Sequence, residues 1–555
     1  MLWHNVAVTL PPLPSVLQTA KPLVVTDRFI VLQLKSDDMA TADNETVGKT
    51  DGYRLPPAGL FWQRGDEGVK SLDEESMDGV KKAIIDATEG TNAKVTELKF
   101  GMVSSTMKDR RAIKILRINA RPGCSYDEWR ITLQPRTRGK RITREDLETI
   151  IYGVFHTLKC NGFASASTDR QDCPTRRHVC LVLQINRADR TYLSIRRSFE
   201  SEAWQTAGGV LPFVVGEGLD GQFVMADLAA MPHLLVGGAT GQGKSVFMHG
   251  IIASLLCRQR PENIKLLLVD TKGAEFASYS RLGKEFLARM PDGEDAIIND
   301  AGKAVVAFGS LYAEMKLRRE LMRRARAGNL ASYNAAFASG RLDAAGGHRH
   351  LPRLVMVVDE YRDIIRQYGR SFENMVCDIA KSGPEVGIHL IISTQLVTQS
   401  VITGKIKDAF PARAAFRVSS QIDSRALLDY EGADVLLGKG DMIFSHDDAK
   451  ERLQAPLIEV GEIDKLVEYV SRECETAGCT EAYTLPAPED CGDGDAGTRS
   501  RVTERDPLFD EASRFAKRAK GVTTEKLQRK FALGYNRATR LLEQLRDAGI
   551  VRDGK

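Results

Sequence analysis

Gly238-Ala239-Thr240-Gly241-Gln242-Gly243-Lys244-Ser245 is the segment whose residue types and spacing speak most directly of chemistry. It satisfies G-x-x-x-x-G-K-[ST], a spacing that cradles phosphates. Glycines let the backbone curl until successive N–H groups face phosphate oxygens, and the helix that follows adds the partial positive charge of its N-terminus. Lys244 is the residue to reach the β- and γ-phosphates of ATP, and the Ser245 hydroxyl is a ligand for Mg2+. About 115 residues later, the run RLVMVVDE ends in Asp359 and Glu360. An acidic pair at the carboxyl end of a buried strand faces the crevice where open α/β sheets take ligands. Asp359 is placed there to hold Mg2+, and Glu360 to orient and deprotonate an attacking water. A third run, GIHLIIST, leads to Gln395, whose amide can meet the γ-phosphate or the lytic water. Asp270 and Lys272, after IKLLLVD, either line the same site or form a structural ion pair.

Groups so far apart in sequence meet only if the elements carrying them lie side by side. HLLVGG (233–238), IKLLLVD (264–270), RLVMVVDE (353–360) and GIHLIIST (387–394) are short aliphatic runs separated by helical stretches. Strands of a parallel sheet read this way because helices cover both faces. An α/β core with a parallel sheet is therefore expected over 206–470. Before it, 51–205 mixes a helical pattern at 77–90 with alternating strands at 112–120 and 178–187, which implies a smaller α/β domain. Residues 1–50 hold one apolar run, RFIVLQL, then a polar stretch expected to be a flexible joint. Residues 471–505 are expected to be a linker, since most of them are Gly-, Asp- and Pro-rich without apolar period, and 506–555 regain helical periodicity.

Together these residues resemble the FtsK/SpoIIIE family of double-stranded DNA translocases. MADLAAMPHLLVGGATGQGKSVFMHGIIASLL is similar to the family's strand and phosphate loop, and EMKLRRELMRRARAGNLASYN (314–334) to its long helix. VITGKIKDAFPARAAFRVSSQIDSRALLDYEGADVLLGKGDMIF (401–444) is similar to its late motor segment. The end of the chain, through QRKFALGYNRATRLLEQLRDAGIV, is similar to its winged-helix gamma domain. The resemblance implies a RecA-like motor, a homo-hexameric ring around duplex DNA, and ATP at subunit interfaces. A neighbouring arginine then neutralises charge on the γ-phosphoryl group. Arg413, Arg417 and Arg425 are the candidates, with Arg413 or Arg417 preferred. The chain departs from the family at Pro384, Glu385, Val386 and Leu396, where relatives often carry arginines.

The whole chain, 555 residues, has a formal charge of only +4, so any basic surface must be local. It is: 506–555 holds twelve basic and seven acidic residues, and the rest is close to neutral. Asn536, Arg540 and Glu543 share one face of the last helical stretch, with Arg537 beside them. Arg can read guanine, Asn adenine and Glu cytosine, and the resemblance implies an oriented guanine-rich site. It also leaves a site-specific recombinase as a possible partner of this segment, and chromosome or plasmid partition or transfer as its setting. The nine cysteines form no C-x-x-C and suit reduced thiols in the cytoplasm rather than a disulfide or zinc framework. No run of about 18 apolar residues occurs, so the chain reads as soluble. A secretion-type ATPase moving protein is the competing function, against which the basic tail weighs.

Overall fold

Four aliphatic runs become adjacent strands in a computed structural model of the chain. It describes residues 22–26, 29–32, 53–63, 74–89, 113–122, 126–135, 141–158, 162–167, 178–187, 192–292, 297–447, 449–479 and 482–488, and in the C-terminal unit 508–518, 524–531, 541 and 545. The chain divides into two compact units, Met1–Ala487 and Pro488–Lys555.

The larger unit is built on a ten-stranded sheet. Its order is Ile297–Ile298, Ile264–Asp270, Arg353–Asp359, Ile388–Thr394, His233–Gly237, Ala412–Phe416, Asp441–His446, Ala449–Gln454, Pro212–Glu217 and Phe223–Asp227. The first six are parallel and the remainder antiparallel. Successive residues of the central strands enter different cores. Leu354, Met356 and Val358 pack with helices Ala301–Ala325 and Tyr361–Ser382. Val355 and Val357 pack with Lys244–Arg258 and Val460–Thr476. Both faces are thus dry, which explains the unbroken aliphatic runs. Truncating one such side chain, as in Leu268→Ala, costs about 2–5 kcal/mol.

A second sheet has four antiparallel strands in the order Ile113–Arg121, Tyr126–Pro135, Val179–Asn186 and Gly162–Ser167. Helices Glu74–Glu89 and Arg144–Leu158 supply Ile84, Ile150 and Val154 to its core. Arg452 of the large sheet touches it: its Nη2 donates to Asn186 Oδ1 at 2.9 Å, and its carbonyl accepts from Tyr126 Oη at 3.0 Å.

Several segments join elements other than those their position in sequence implied. Tyr53, Phe61, Ile195, Phe199 and Trp204 lie in the motor core, not with the small sheet. Residues 471–476, placed in the linker on composition, finish helix Val460–Thr476. Tyr483 and Leu485 are buried as well. Arg318, itself fully buried, donates to Glu314 at 2.7 Å and to Tyr483 Oη at 2.7 Å, while Arg289 N donates to the Tyr483 carbonyl at 2.8 Å. A short polar stretch without periodicity hides this clasp, because only two of its side chains are anchors. At the N-terminus, Pro22–Thr26 and Phe29–Leu32 pair as a hairpin over part of the apolar run. The flexible joint expected after it lies outside the described residues, as does all of 489–507.

Candidate nucleotide site

Strand register brings the ends together. Asp270 pairs with Asp359, Thr394 with Gly237, and Gly237 in turn with Ala415. The phosphate loop leaves this edge tightly packed. Gly238 has φ 151°, and a Cβ there would lie 2.7 Å from Phe416 Cβ. Gly243 has φ 118°, and its Cβ would meet Gly440 N at 2.8 Å. Gly241 also takes a positive φ. Ala239 N donates to the Arg417 carbonyl at 2.8 Å, and the Gln242 carbonyl accepts from Gly440 N at 2.9 Å. The loop is held by backbone on both sides, leaving no space for side chains at Gly238 and Gly243, while at Gly241 the space is open and only the positive φ favours glycine.

Helix Lys244–Arg258 starts directly after Gly243. Lys244 is 4% exposed, and its Nζ donates to the Ala239 carbonyl at 2.8 Å. Burial lowers its pKa to about 8, against the pull of Asp359 and Glu360 toward the charged form. Asp359 is 3% exposed and is pushed above the usual carboxylate range by burial first, then by Glu275. Glu360 adopts φ 58°, a left-handed conformation that non-glycine residues keep only when their surroundings hold them there. Its carboxylate lies 3.4 Å from Thr394 Oγ1, 3.4 Å from Gln395 N and 3.4 Å from Lys272 Nζ. Thr240 Oγ1 donates to Gln395 Oε1 at 2.9 Å, which ties the third strand end to the loop.

Asp270 has a different task. Its carboxylate accepts from the backbone N–H groups of Lys272, Gly273 and Glu275 at 3.0, 3.0 and 2.6 Å. It folds the following loop, while Lys272 pairs with Glu360 and not with Asp270. That loop delivers Glu275, which sequence reasoning missed. His249 Nε2 lies 3.6 Å from its carboxylate, and His249 foremost, with Ser245, holds it below the usual range. The signal was an acid five residues beyond a strand end, a separation that only the Asp270 turn makes short. Thr394 was missed too, being an ordinary strand residue in sequence.

The arginine candidates separate. Arg413 is held within its own chain: it contacts Asp429 at 2.5 Å and the carbonyls of Leu427, Lys407 and Phe410 at 3.3, 3.2 and 3.4 Å. Its guanidinium is thus engaged by four groups of the same chain. Arg425 pairs with Glu431. Arg417 is exposed beside the loop and makes no ion pair among the described residues. Pro384–Val386 form a short turn, and Leu396 is 43% exposed just past the third strand.

Ser245 and Asp359 suit Mg2+. The excess of buried carboxylate around Asp359 calls for a cation, and Mg2+ needs only one or two protein ligands when phosphates supply the rest. No group of three or more His, Cys, Asp or Glu side chains able to hold a metal ion occurs among the described residues. No helix among them is long and apolar enough to cross a membrane.

In the C-terminal unit, helices Phe509–Arg518 and Thr524–Phe531 pack Phe509, Ala512, Ala516 and Leu527 against Leu541 and Leu545. Asn536, Arg537, Arg540 and Glu543, the expected DNA readers, lie outside the described residues.

Comparison with known proteins places this geometry. The FtsK/SpoIIIE family pattern matches residues 194–399, and the Ftsk gamma domain pattern matches 503–554. A protein named DNA translocase FtsK from Chlorobaculum tepidum is 36% identical over 364 residues, 65% of this chain and 44% of that one. Its namesake from Clostridium tetani is 32% identical over 424 residues, 75% of this chain and 54% of that one. The chain thus spans about half the length of these curated relatives. Among solved structures, the pCW3 conjugation coupling protein TcpA in its monomer form with ATPγS matches with TM-score 0.44 and 22% identity. That match covers 65% of this chain and 94% of that one. With a motor segment and a C-terminal segment both matched, the chain belongs to the FtsK/SpoIIIE family.

Proposed function

We propose that this chain hydrolyses ATP and uses the energy to move along double-stranded DNA. One observation carries the reading: a buried lysine at the mouth of a phosphate loop feels the charge of two buried carboxylates at the end of strand Arg353–Asp359, next but one in the sheet. Burying these charges together is costly unless a ligand completes the arrangement. ATP does so.

Lys244 leaves the Ala239 carbonyl for the β- and γ-phosphates, and the loop N–H groups take the remaining oxygens. Glu360, fixed by its backbone and by Thr394, accepts the proton of the attacking water. Gln395 turns from Thr240 toward the γ-phosphate and carries the state of the site into the strand end. Ser245 and Asp359 would hold Mg2+, which would supply charge neutralisation on the phosphate oxygens. Arg417 is the guanidinium left to stabilise the transferred phosphoryl group in a ring of six subunits. Duplex DNA occupies the ring, gripped mainly through its phosphates, so travel is independent of sequence. The C-terminal unit reads oriented guanine-rich sites through Asn536, Arg540 and Glu543, and it is the segment a site-specific recombinase would meet. Such a motor acts in the cytoplasm, in chromosome or plasmid partition or transfer.

The test is displacement of a third strand from a duplex in the presence of ATP, measured with ATP turnover. Displacement that needs ATP, with turnover raised by duplex, is expected. Turnover indifferent to duplex would sink the reading.

A further inference from the structure

Beside the phosphate loop, a line of three side chains ends on a carboxylate that the hydrolytic steps do not use. Helix Lys244–Arg258 carries His249, and the turn that follows Asp270 carries Glu275 and Tyr279. Tyr279 is fully buried, and its phenol oxygen lies 3.0 Å from His249 Nδ1. Burial raises its pKa, so the phenol keeps its proton, and among the described residues that proton has no other acceptor. Tyr279 therefore donates to Nδ1, which leaves the imidazole proton on Nε2. Nε2 lies 3.6 Å from the Glu275 carboxylate. The ring is held in place: Phe276 meets it edge-on at 5.8 Å, and Tyr279 stacks on it at 5.7 Å. The backbone of the turn is fixed too, since Glu275 N and Phe276 N donate to Asp270 Oδ2 at 2.6 and 3.4 Å.

Ser245 and His249 are four residues apart on one helix and so share a face. A carboxylate held against His249 therefore stands by the first turn, where Ser245 is half-buried. The charges agree with this placement. After His249, Ser245 and Lys244 also favour the ionised form of Glu275, and Glu275 is second only to burial in pushing Asp359 up. Two carboxylates that oppose each other's ionisation thus converge near one hydroxyl. A partly exposed contact at 3.6 Å returns little for that. A divalent cation satisfies both.

Resting on the nucleotide-site reading, we infer that Glu275 is a positioning residue for the divalent cation: its carboxylate accepts the Ser245 hydroxyl proton, and His249 and Tyr279 hold it to that task. A hydroxyl has one proton and two lone pairs. With the proton engaged by Glu275, the oxygen has its lone pairs left for Mg2+. Glu275 also adds negative charge behind the ligands Ser245 and Asp359, as the outer partners of metal sites do.

The experiment measures ATPγS binding to the full chain with saturating Mg2+ and with chelator instead. Electron paramagnetic resonance of Mn2+ added to the ATPγS complex gives the cation affinity directly, and neither measurement needs turnover. An amide has one oxygen where a carboxylate has two, so Glu275→Gln cannot accept from both His249 and Ser245, and it loses the charge. It should weaken Mn2+ binding by about ten- to a hundredfold. By reciprocity, the gain that Mg2+ gives ATPγS should shrink by the same factor. Binding in chelator should hold or tighten, which doubles as the check that the variant is folded. Tyr279→Phe, which loses one hydrogen bond, should produce a change of the same sign of about two- to tenfold. Wild-type Mn2+ affinity in Glu275→Gln overturns the inference. So does an equal weakening of ATPγS with and without Mg2+, the result of a purely structural pairing of turn and helix. A Tyr279→Phe chain with unaltered Mn2+ affinity overturns the part given to Tyr279 and His249. If the wild-type chain fails to bind ATPγS, or binds it no better with Mg2+ than in chelator, the nucleotide-site reading fails instead.

Discussion

At the carboxyl ends of the central strands the sheet buries Lys244, Asp359 and Glu360, an amine and two carboxyls. At the amino ends of two of the same strands it buries His233 and His389, respectively 1% and 2% exposed. The histidines are finished: His233 Nε2 donates to the Ala380 carbonyl at 2.7 Å, its Nδ1 accepts from Leu390 N at 3.0 Å, and His389 Nδ1 donates to the Pro232 carbonyl at 3.1 Å. Burial lowers their pKa values to about 3 and about 4, so they are neutral rings joining strand to backbone. The other end is unfinished. Lys244 has a single carbonyl for its ammonium, and Asp359 has no ion pair among the described residues. Burial alone does not mark a site; burial with charge left incomplete does.

The largest effect expected from this contrast is in turnover. Lys244→Ala should lower kcat for ATP by about a hundred- to a thousandfold, the usual consequence of removing one group that stabilises transition-state charge. His389→Asn should leave it within a factor of about three, since no charge is lost. Phosphate release measured for both variants decides. Comparable losses would mean that the two ends do not differ in the way their hydrogen bonding implies.

The arginine assignment gives a sharper test of where the site ends. Arg417→Ala alone should lower turnover by about a hundredfold. When Arg417→Ala and Lys244→Ala chains are mixed, their fate depends on which subunit's site Arg417 completes. If it acts on a neighbour's nucleotide, some interfaces in mixed rings combine an intact Lys244 with an intact Arg417, and activity returns. If it acts on its own nucleotide, no mixing restores activity beyond what subunit dilution allows, and the unfinished charge is completed within one chain.

Residue patterns in the sequence already placed much of the unfinished end. IKLLLVD is strand Ile264–Asp270 to the residue, and HLLVGG, RLVMVVDE and GIHLIIST each run at most one residue past an end of the observed strand. Aliphatic runs are legible because both faces are buried. The antiparallel half is less so: Ala449–Gln454 exposes its first three residues and buries its last three, which gives no period. In the site, Lys244, Asp359 and Glu360 were legible because each ends a recognisable strand or loop. Glu275 was not, because its position depends on backbone N–H groups folding around Asp270. The surroundings of Arg413 were not legible for a related reason. Its partners at 407, 410, 427 and 429 come from the C-terminal ends of two helices, Gly404–Ala409 and Gln421–Leu428, and nothing in the residue string announces their convergence.

Proton bookkeeping sharpens the contrast at smaller scale. With a pKa of about 8, about half of the Lys244 side chains are neutral at pH 8. Phosphates restore the charged form, so nucleotide binding at that pH should take up about half a proton per site. Calorimetry in two buffers of different ionisation heat measures it, with divalent cation left out so that the carboxylates do not contribute. Uptake should vanish in Lys244→Ala and shrink at pH 6.5, where the free lysine is already charged.

At the finished end the proton count has the opposite consequence, felt in stability. The folded-state pKa of His389, about 4, lies below the roughly 6.5 of an unfolded histidine, so between these values the unfolded chain binds a proton that the native state excludes. Its contribution is therefore complete above about pH 6.5 and is lost as pH falls toward 4. Within that window one such group adds about 1.4 kcal/mol per pH unit to the dependence of unfolding free energy on pH. His233 adds a similar slope reaching lower, to about pH 3. His389→Asn, which keeps a donor for the Pro232 carbonyl, should remove one of the two slopes at modest cost in stability at pH 8. Denaturant titrations at pH 5, 6 and 8 measure the change. An unchanged slope would show that the ring already takes a proton in the native sheet, and the two ends would then be alike in burying charge.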